Sequence, residues 1–361
     1  MPLSRTLQLL ETGIDEGLHL GGQLYVEQAG LAIADLAFGL AREGESMTPE
    51  HLMPWLSAGK PVAAVAVAQL WERGLLDLDD AVARHIPEFA AGGKEAVTLR
   101  HLLTHTGGIR ALNLGWPQAS WDEVLAKICA MKLEPRWIPG RKAGYHTSSS
   151  WFVLGEVVRR LTETPFPTYA REKIFAPLGM TDCWIGMPAD RFAAYGRLLA
   201  PSYDMERTPP AVHDWTDELH VTSCSPGAGG IGPLRQLGRF YSMLLAGGRD
   251  LLSAQAVGAL TARHRVGLWD HTFRHHLDWG LGFIVNSAHH GEETSPYGYG
   301  PLAGSRTFGH GGYRSVVAFA DPDARLVACL AVNGTPAEDA HRRRFNTATA
   351  AIYEDLGLRN R

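Results

Sequence analysis

The chain has 361 residues, 45% hydrophobic and 20% charged, with a formal net charge of −4, enough to bury a large core in two domains or one composite unit. It carries no basic excess and no lysine/arginine cluster interleaved with aromatics, which argues against nucleic acid, and no apolar run of about 18 residues that would cross a membrane as a helix. Cys129, Cys183, Cys224 and Cys329 are scattered without C-x-x-C spacing and read as free buried thiols rather than a disulfide framework or zinc site.

The opening stretch, MPLSRTLQLLETGIDEGLHLGG, reads as an amphipathic helix. Its acidic residues Glu11, Asp15 and Glu16 and its lack of an uninterrupted apolar core set it apart from a secretory signal, so a cytoplasmic location is expected. GGQLYVEQAG and LAIADLAFGL then alternate around a Gln-Ala-Gly turn and predict a β-hairpin at roughly residues 22 to 40. From about 61 to 175 the pattern is helical, through LDLDDAVARHI, VTLRHLLTHTGG, SWDEVLAKICAMK and SSSWFVLGEVVRRLTET. Residues 185 to 228 lose periodicity and gain Pro201, Pro209, Pro210 and Pro226, which predicts a long surface or lid loop carrying Tyr203 and Trp215. Helices return in GPLRQLGRFYSMLLAGG and SAQAVGALTARH. LGFIV, RTFGHGG, SVVAFAD and RLVACLAVNG read as strands, and DAHRRRFNTATAAIYEDLG as a closing helix. Strands near both ends with helices between predict an α/β (α+β) architecture: a sheet region from 1–56 and 229–361 and a mostly helical region from 57–228, forming one catalytic unit with its site between them.

Within MPWLSAGKPVAAVAVAQLWERG, Lys60 follows Ser57 by three residues. S-x-x-K has only two fixed letters and arises often by chance, but the residues after Lys60 are apolar on every face, as in a buried helix. The spacing places Ser57 and Lys60 on one face, a turn apart, and Pro61 suits the first helical turn. A lysine taken out of water loses its preference for the charged form and can accept a proton from the serine hydroxyl, which is a weak nucleophile without such a neighbour. Two more stretches stand out: PGRKAGYHTSSSWFVLGEVV, with Tyr145 between a Pro-Gly turn and a buried helix, and RTFGHGGYRSVVAFADP, with His310-Gly311-Gly312 at a strand.

With these three stretches, the chain resembles the serine β-lactamase and penicillin-binding-protein superfamily, in its class C-like branch. That branch holds β-lactamase-fold esterases of the family VIII carboxylesterase kind, D-amino-acid peptidases and related transacylases. LDLDDAVARHIPEF, VTLRHLLTHTGGI, KIFAPLGMTDCW, GAGGIGPLRQLGRFYSMLLAGG and FADPDARLVACLAVNG extend the resemblance over nearly the whole chain. It implies a β-lactamase-like fold, an antiparallel sheet built from both chain ends, flanked by helices and interrupted by a mostly helical insertion. It also implies Ser57 as the acylated nucleophile, Lys60 as its activator, Tyr145 as the proton shuttle of a Y-x-N motif, and His310 at the head of a K-T-G motif rewritten as H-x-G. The oxyanion donors would be the N–H groups of Ser57 and Tyr313, with Gly311 and Gly312 letting substrate lie close to the strand. Substrate contacts are expected from Thr147, Trp116 and Trp137, with further walls from 185–228 and 266–300.

The departures from the family pattern carry information. Thr147 stands where the Y-x-N asparagine would bind a substrate amide, and His310 where a lysine would help hold a carboxylate. The expectation is a serine hydrolase of carboxylic esters acting on a small-molecule ester or amide. The alternatives are a transacylase passing the Ser57-bound acyl group to an amine or alcohol, a β-lactamase or D-amino-acid peptidase, and a catalytically silent binding protein. No cofactor and no metal are expected. His101 and His105 share an i, i+4 spacing but lack the H-E-x-x-H glutamate, and His271, His275, His276, His289 and His290 form only a loose cluster. No G-x-S-x-G elbow of an α/β-hydrolase occurs. No nucleic-acid or membrane partner is expected, and oligomeric state is not legible.

Overall fold

Strand Leu326–Val332 is buried along its whole length, and its side chains part to two sides. Val327, Cys329 and Ala331 enter one hydrophobic core, and Leu326, Ala328, Leu330 and Val332 enter another. A strand covered on both faces needs no polar alternation, which is why LVACLAV is apolar throughout. In this computed structural model, which describes residues 3–110, 113–291 and 299–358, that strand lies inside an eight-stranded sheet. The order is Asp278–Trp279, Ile284–Val285, Phe308–Gly312, Val316–Asp321, Leu326–Val332, Gly21–Gln28, Leu31–Arg42 and Glu45–Ser46, with every neighbouring pair antiparallel. Both ends of the chain therefore build one sheet, and the hairpin expected at 22 to 40 is its Gly21–Gln28 and Leu31–Arg42 pair. The fold is the expected mixed one, with a large antiparallel sheet built from both chain ends and flanked by helices.

Helices Ser4–Asp15 and Glu338–Asp355 cover one face, adding Leu10, Phe345, Ala348 and Ile352 to its core. The other face is covered by Lys60–Glu72, Ser149–Thr162 and Leu234–Leu245. In the first of these, every residue from Lys60 to Ala68 is buried, so the helix is apolar all round because it is enclosed all round. A 3₁₀ turn, Leu56–Gly59, leads into it, with Pro61 in the first α-helical turn where a missing N–H breaks no helical bond.

The segment 185–228 corrects the sequence reading. It is not an extended loop: it holds helices Ala189–Tyr195 and Glu218–Thr222 and strands Tyr203–Asp204 and Ala211–Val212. Elements this short span too few turns to show a period, so they passed for loop. Tyr203 is buried there, donating from its N–H to Asn333 O (2.8 Å), and it is a packing residue rather than part of a lid. The strand read in LGFIV is confined to Ile284–Val285. Among the described residues, no helix is long and apolar enough to cross a membrane.

The helix Leu234–Leu245 approaches strand Gly21–Gln28 at Gly238, where a Cβ would lie 2.2 Å from Cδ1 of the Tyr25 ring. That ring is held by its hydroxyl on Glu27 (3.0 Å) and cannot swing aside freely. Gly238→Ala is expected to lower unfolding free energy by about 1–3 kcal/mol through overpacking, read from the urea midpoint at unchanged slope.

Candidate active site

The 3₁₀ turn before the buried helix begins at Leu56, whose φ is +50°, a conformation that L-residues with a Cβ adopt at a cost. This bend presents Ser57 half-buried at the edge of the helical layer while Lys60 is wholly enclosed. Lys60 Nζ lies 2.8 Å from Ser57 Oγ and 2.6 Å from the carbonyl oxygen of Gly227. It sits 5.1 Å from the ring centre of Tyr145 and 5.7 Å from that of Trp151. Burial pushes Lys60 well below the ordinary lysine range, toward the free amine.

On the other side of the serine, Tyr145 Oη lies 2.7 Å from Ser57 Oγ. The hydroxyl oxygen of Ser57 is thus flanked by a phenol and an amine, each within reach of its proton. His105 lies against the Tyr145 ring, with centroids 4.7 Å apart. Its Nδ1 accepts from the N–H of His146 (2.9 Å), and burial holds it well below the usual imidazole range. Sequence reasoning missed this role for His105, weighing it only as a metal ligand; the block LLTHTGG was the available signal.

His310 lies in strand Phe308–Gly312, buried behind Tyr145 with ring centres 6.1 Å apart. Its Nδ1–H donates to Gly311 O at 2.7 Å, since a carbonyl can only accept, so Nε2 carries the lone pair. Burial, and then the Lys60 amine, push its pKa down to about 3. A neutral imidazole cannot supply the fixed positive charge that a lysine would bring to this strand. Gly312 abuts the serine turn, where a Cβ would stand 2.4 Å from Trp55 O. This close approach carries the end of the strand, and Tyr313 after it, to the wall of the same cavity that Ser57 enters.

That cavity measures about 220 Å³. Its walls are largely apolar, from Leu56, Trp116, Trp215, Val221, Ile231 and Tyr313, with Thr147 and His220 as polar contributors. Trp215 and Val221 come from the 185–228 segment, which does wall the site although it is not a loop. His220 is committed to Asp217, with Nδ1 2.9 Å from Oδ1.

Other expected pocket residues lie elsewhere. Trp137 is buried away from the cavity, donating from Nε1 to Thr106 O (2.9 Å) beneath the Arg110 guanidinium, 5.0 Å from its ring centre. Gly311 and Gly312 are buried in the strand rather than lining the cavity, and His310 does not line it either. From 266–300, residues 292–298 fall outside the described residues, and none of the described remainder lines the cavity.

Of the histidines noted in the sequence, His101 and His105 part, whereas His276, His289 and His290 lie together, with ring centres 5.8 Å (His276 to His290) and 3.9 Å (His289 to His290) apart. His101 Nδ1 accepts from Thr98 N–H (3.2 Å) in a helix cap, while His105 faces Tyr145. His289 and His290 meet at Asp278, but Arg263 Nε already donates to that carboxylate at 2.9 Å.

The fold has counterparts among known proteins. Residues 8–352 match the family described as Beta-lactamase. The chain belongs to the beta-lactamase family. Beta-lactamase-fold members are serine hydrolases. Within the family, the chain is 32% identical over 218 residues to the esterase EstB of Burkholderia gladioli, covering 54% of this chain and 53% of EstB, about half that protein's length. It is 26% identical over 346 residues to the esterase/beta-lactamase LipL of Mycobacterium tuberculosis, covering 87% of this chain and 77% of LipL. Among solved structures of the fold, a family VIII carboxylesterase superposes with a TM-score of 0.81 at 26% identity over 98% of both chains.

The buried amine can be tested through stability. Unfolding returns Lys60 to water, where it takes up a proton below its free pKa of about 10.4, so the native state is penalised at neutral pH and relieved as pH rises. Lys60→Met is expected to be inactive yet to gain stability relative to the wild type at pH 7. That gain should shrink steadily as pH approaches 10, measured by urea unfolding across the range.

Proposed function

We propose that this protein is a serine hydrolase that forms an acyl-enzyme on Ser57 and cleaves carboxylic esters of neutral, apolar acids. The observation that carries the reading is Ser57 Oγ held between Tyr145 Oη at 2.7 Å and Lys60 Nζ at 2.8 Å on the wall of an apolar cavity. The esterase names of EstB, LipL and the family VIII carboxylesterase support the same class.

In this reading, Ser57 Oγ attacks the ester carbonyl carbon as its proton passes to the Lys60 amine. The new ammonium is met by Gly227 O. Charge building on the carbonyl oxygen is held by the N–H groups of Ser57 and Tyr313, the kind of fixed donor pair that supplies much of the barrier lowering in acyl transfer. The departing alkoxide takes the Tyr145 proton, and Lys60 returns its proton to Tyr145, leaving both groups as they began. Water then attacks the acyl-enzyme, giving a proton to the same pair, and the acid leaves as Ser57 regains its hydrogen. The sum is ester plus water to acid plus alcohol.

Charge complementarity supports the substrate class. Among the described residues no lysine or arginine lines the cavity, so a carboxylate-bearing β-lactam would find no fixed cation among them. A specific observation keeps the transacylase reading as a second one. Trp215, stacked on His213 at 3.9 Å, walls the cavity from a structured segment, and an apolar wall of this kind is what a transacylase needs to exclude water from its acyl-enzyme.

Ser57→Ala is expected to abolish fluorophosphonate labelling and to lower ester turnover at least about a thousandfold, roughly 4 kcal/mol of barrier. Retention of more than about a tenth of wild-type activity would falsify the nucleophile assignment. p-Nitrophenyl butyrate is expected to turn over far faster than nitrocefin, and comparable rates would overturn the neutral-acyl reading. Adding graded alcohols or amines to the butyrate reaction separates the acceptors: free acid as the main product supports the hydrolase, and saturable capture by a millimolar acceptor establishes the transacylase in its place.

A further inference from the structure

Tyr145 lies in a stretch without helix or strand, between the turn at Gly140 and the helix that begins at Ser149, so its own segment does not fix the phenol. His105 lies against its ring, and the groups that hold its backbone come from more than a hundred residues downstream. Asp270 Oδ1 accepts the backbone N–H of Tyr145 at 3.1 Å, together with those of Thr272 at 2.9 Å and Phe273 at 3.0 Å. Its other oxygen, Oδ2, accepts from Arg265 Nη2 at 2.9 Å. Both side chains are sealed from solvent, at 1% and 0% exposure.

Arg265 spends its remaining donors on the surrounding frame. Nε donates to Leu277 O and Nη1 to Thr104 O, each at 3.2 Å. Its own backbone pairs in both directions with Trp279, in the edge strand of the large sheet. Thr272 Oγ1 donates to Tyr145 O at 3.1 Å, and the Phe273 ring lies 4.6 Å from the Tyr145 ring. The N–H and C=O of Tyr145 and one side of its ring are thus all engaged by a single segment, tied through one ion pair to the sheet.

A buried ion pair is a poor source of stability, because desolvation consumes most of the Coulombic gain and apolar replacements of the pair are often neutral or better. A fixed carboxylate accepting three N–H groups and a guanidinium does set position. Position matters here because a displacement of about 1 Å at a reacting group can lower rate a hundredfold. We infer that Arg265 and Asp270 are a positioning pair for the reaction, holding Tyr145 so that its hydroxyl stays on Ser57. The inference rests on the reading of Tyr145 as the proton-transfer group.

The test uses the full chain and p-nitrophenyl acetate, an activated ester that leaves measurable residual rates. Asp270→Asn is expected to lower kcat by about a hundredfold with KM within about threefold, because the substrate walls do not touch the pair. In a Tyr145→Phe background the same substitution should change kcat by less than about threefold, since the hydroxyl it positions is gone. Two further variants cover a failure of Asp270→Asn to fold. Thr272→Val, which deletes the bond to Tyr145 O and the one accepted from Arg110 Nη1 at 3.2 Å, should lower kcat several-fold and lose that effect in the Tyr145→Phe background. The apolar double replacement Arg265→Met with Asp270→Leu should melt near the wild type yet stay as slow as Asp270→Asn. Equal fold-losses in both backgrounds, a change confined to KM, or wild-type kcat in the folded variants overturns the inference while Tyr145→Phe itself remains impaired. A fully active Tyr145→Phe overturns the proton-transfer reading as well.

Discussion

The site depends on one lysine being denied water. Lys60 lies inside a helix that is buried on every face, and its amine meets a hydroxyl, a carbonyl and two aromatic rings. A carboxylate at the same distance would restore the ammonium and end its ability to take a proton. The histidines around it bring no competing charge: burial holds both His105 and His310 well below the usual imidazole range. Apolar enclosure is therefore a chemical requirement here as much as a packing one, and it sacrifices stability at a point where activity needs it.

The large sheet makes that enclosure rigid. Because its central strands are covered on both faces, the end of Phe308–Gly312 cannot drift relative to the serine turn packed beside it. Two residues flanking the site have left-handed backbone, Leu56 at φ +50° and Arg314 at φ +46°, and each is pinned by its surroundings. Arg314 donates from Nε to Glu338 at 3.0 Å and from Nη1 to Glu206 at 2.7 Å, and its carbonyl accepts from Arg344 at 2.8 Å. Strain of this kind persists only where neighbours over-determine it, and here it falls next to Ser57 and Tyr313, which both line one cavity.

Recognition falls to different elements from those that carry the chemistry. Trp116 comes from the helical region and Trp215, His220 and Val221 from the short elements of 213–222, which close over the serine as an apolar wall. The single imidazole in that wall faces Asp217, and Asp214 lies 3.6 Å from its Nε2, so its surroundings are acidic and hostile to anions. In the proposed reading, shape and the absence of a fixed cation among the described lining residues select for neutral acyl groups, apart from the proton-transfer pair.

What the sequence by itself determined was the local and the periodic. Ser57 and Lys60 were legible because helix geometry places residues three apart on one face. The twice-buried strands and the enclosed helix were legible because burial leaves its period, or its loss, in the residues themselves. Tertiary structure alone decided the rest. Trp137 and Trp116 are indistinguishable as large aromatics in irregular sequence, yet one packs under Arg110 and the other lines the cavity. His310 was legible as the head of an H-x-G motif, but only the strand register buries it behind Tyr145. Tyr145 was legible as a residue type, but what holds it is Asp270, 125 positions away. A contact of that separation leaves no spacing in the chain, because it arises only when two irregular segments are brought against the same sheet edge.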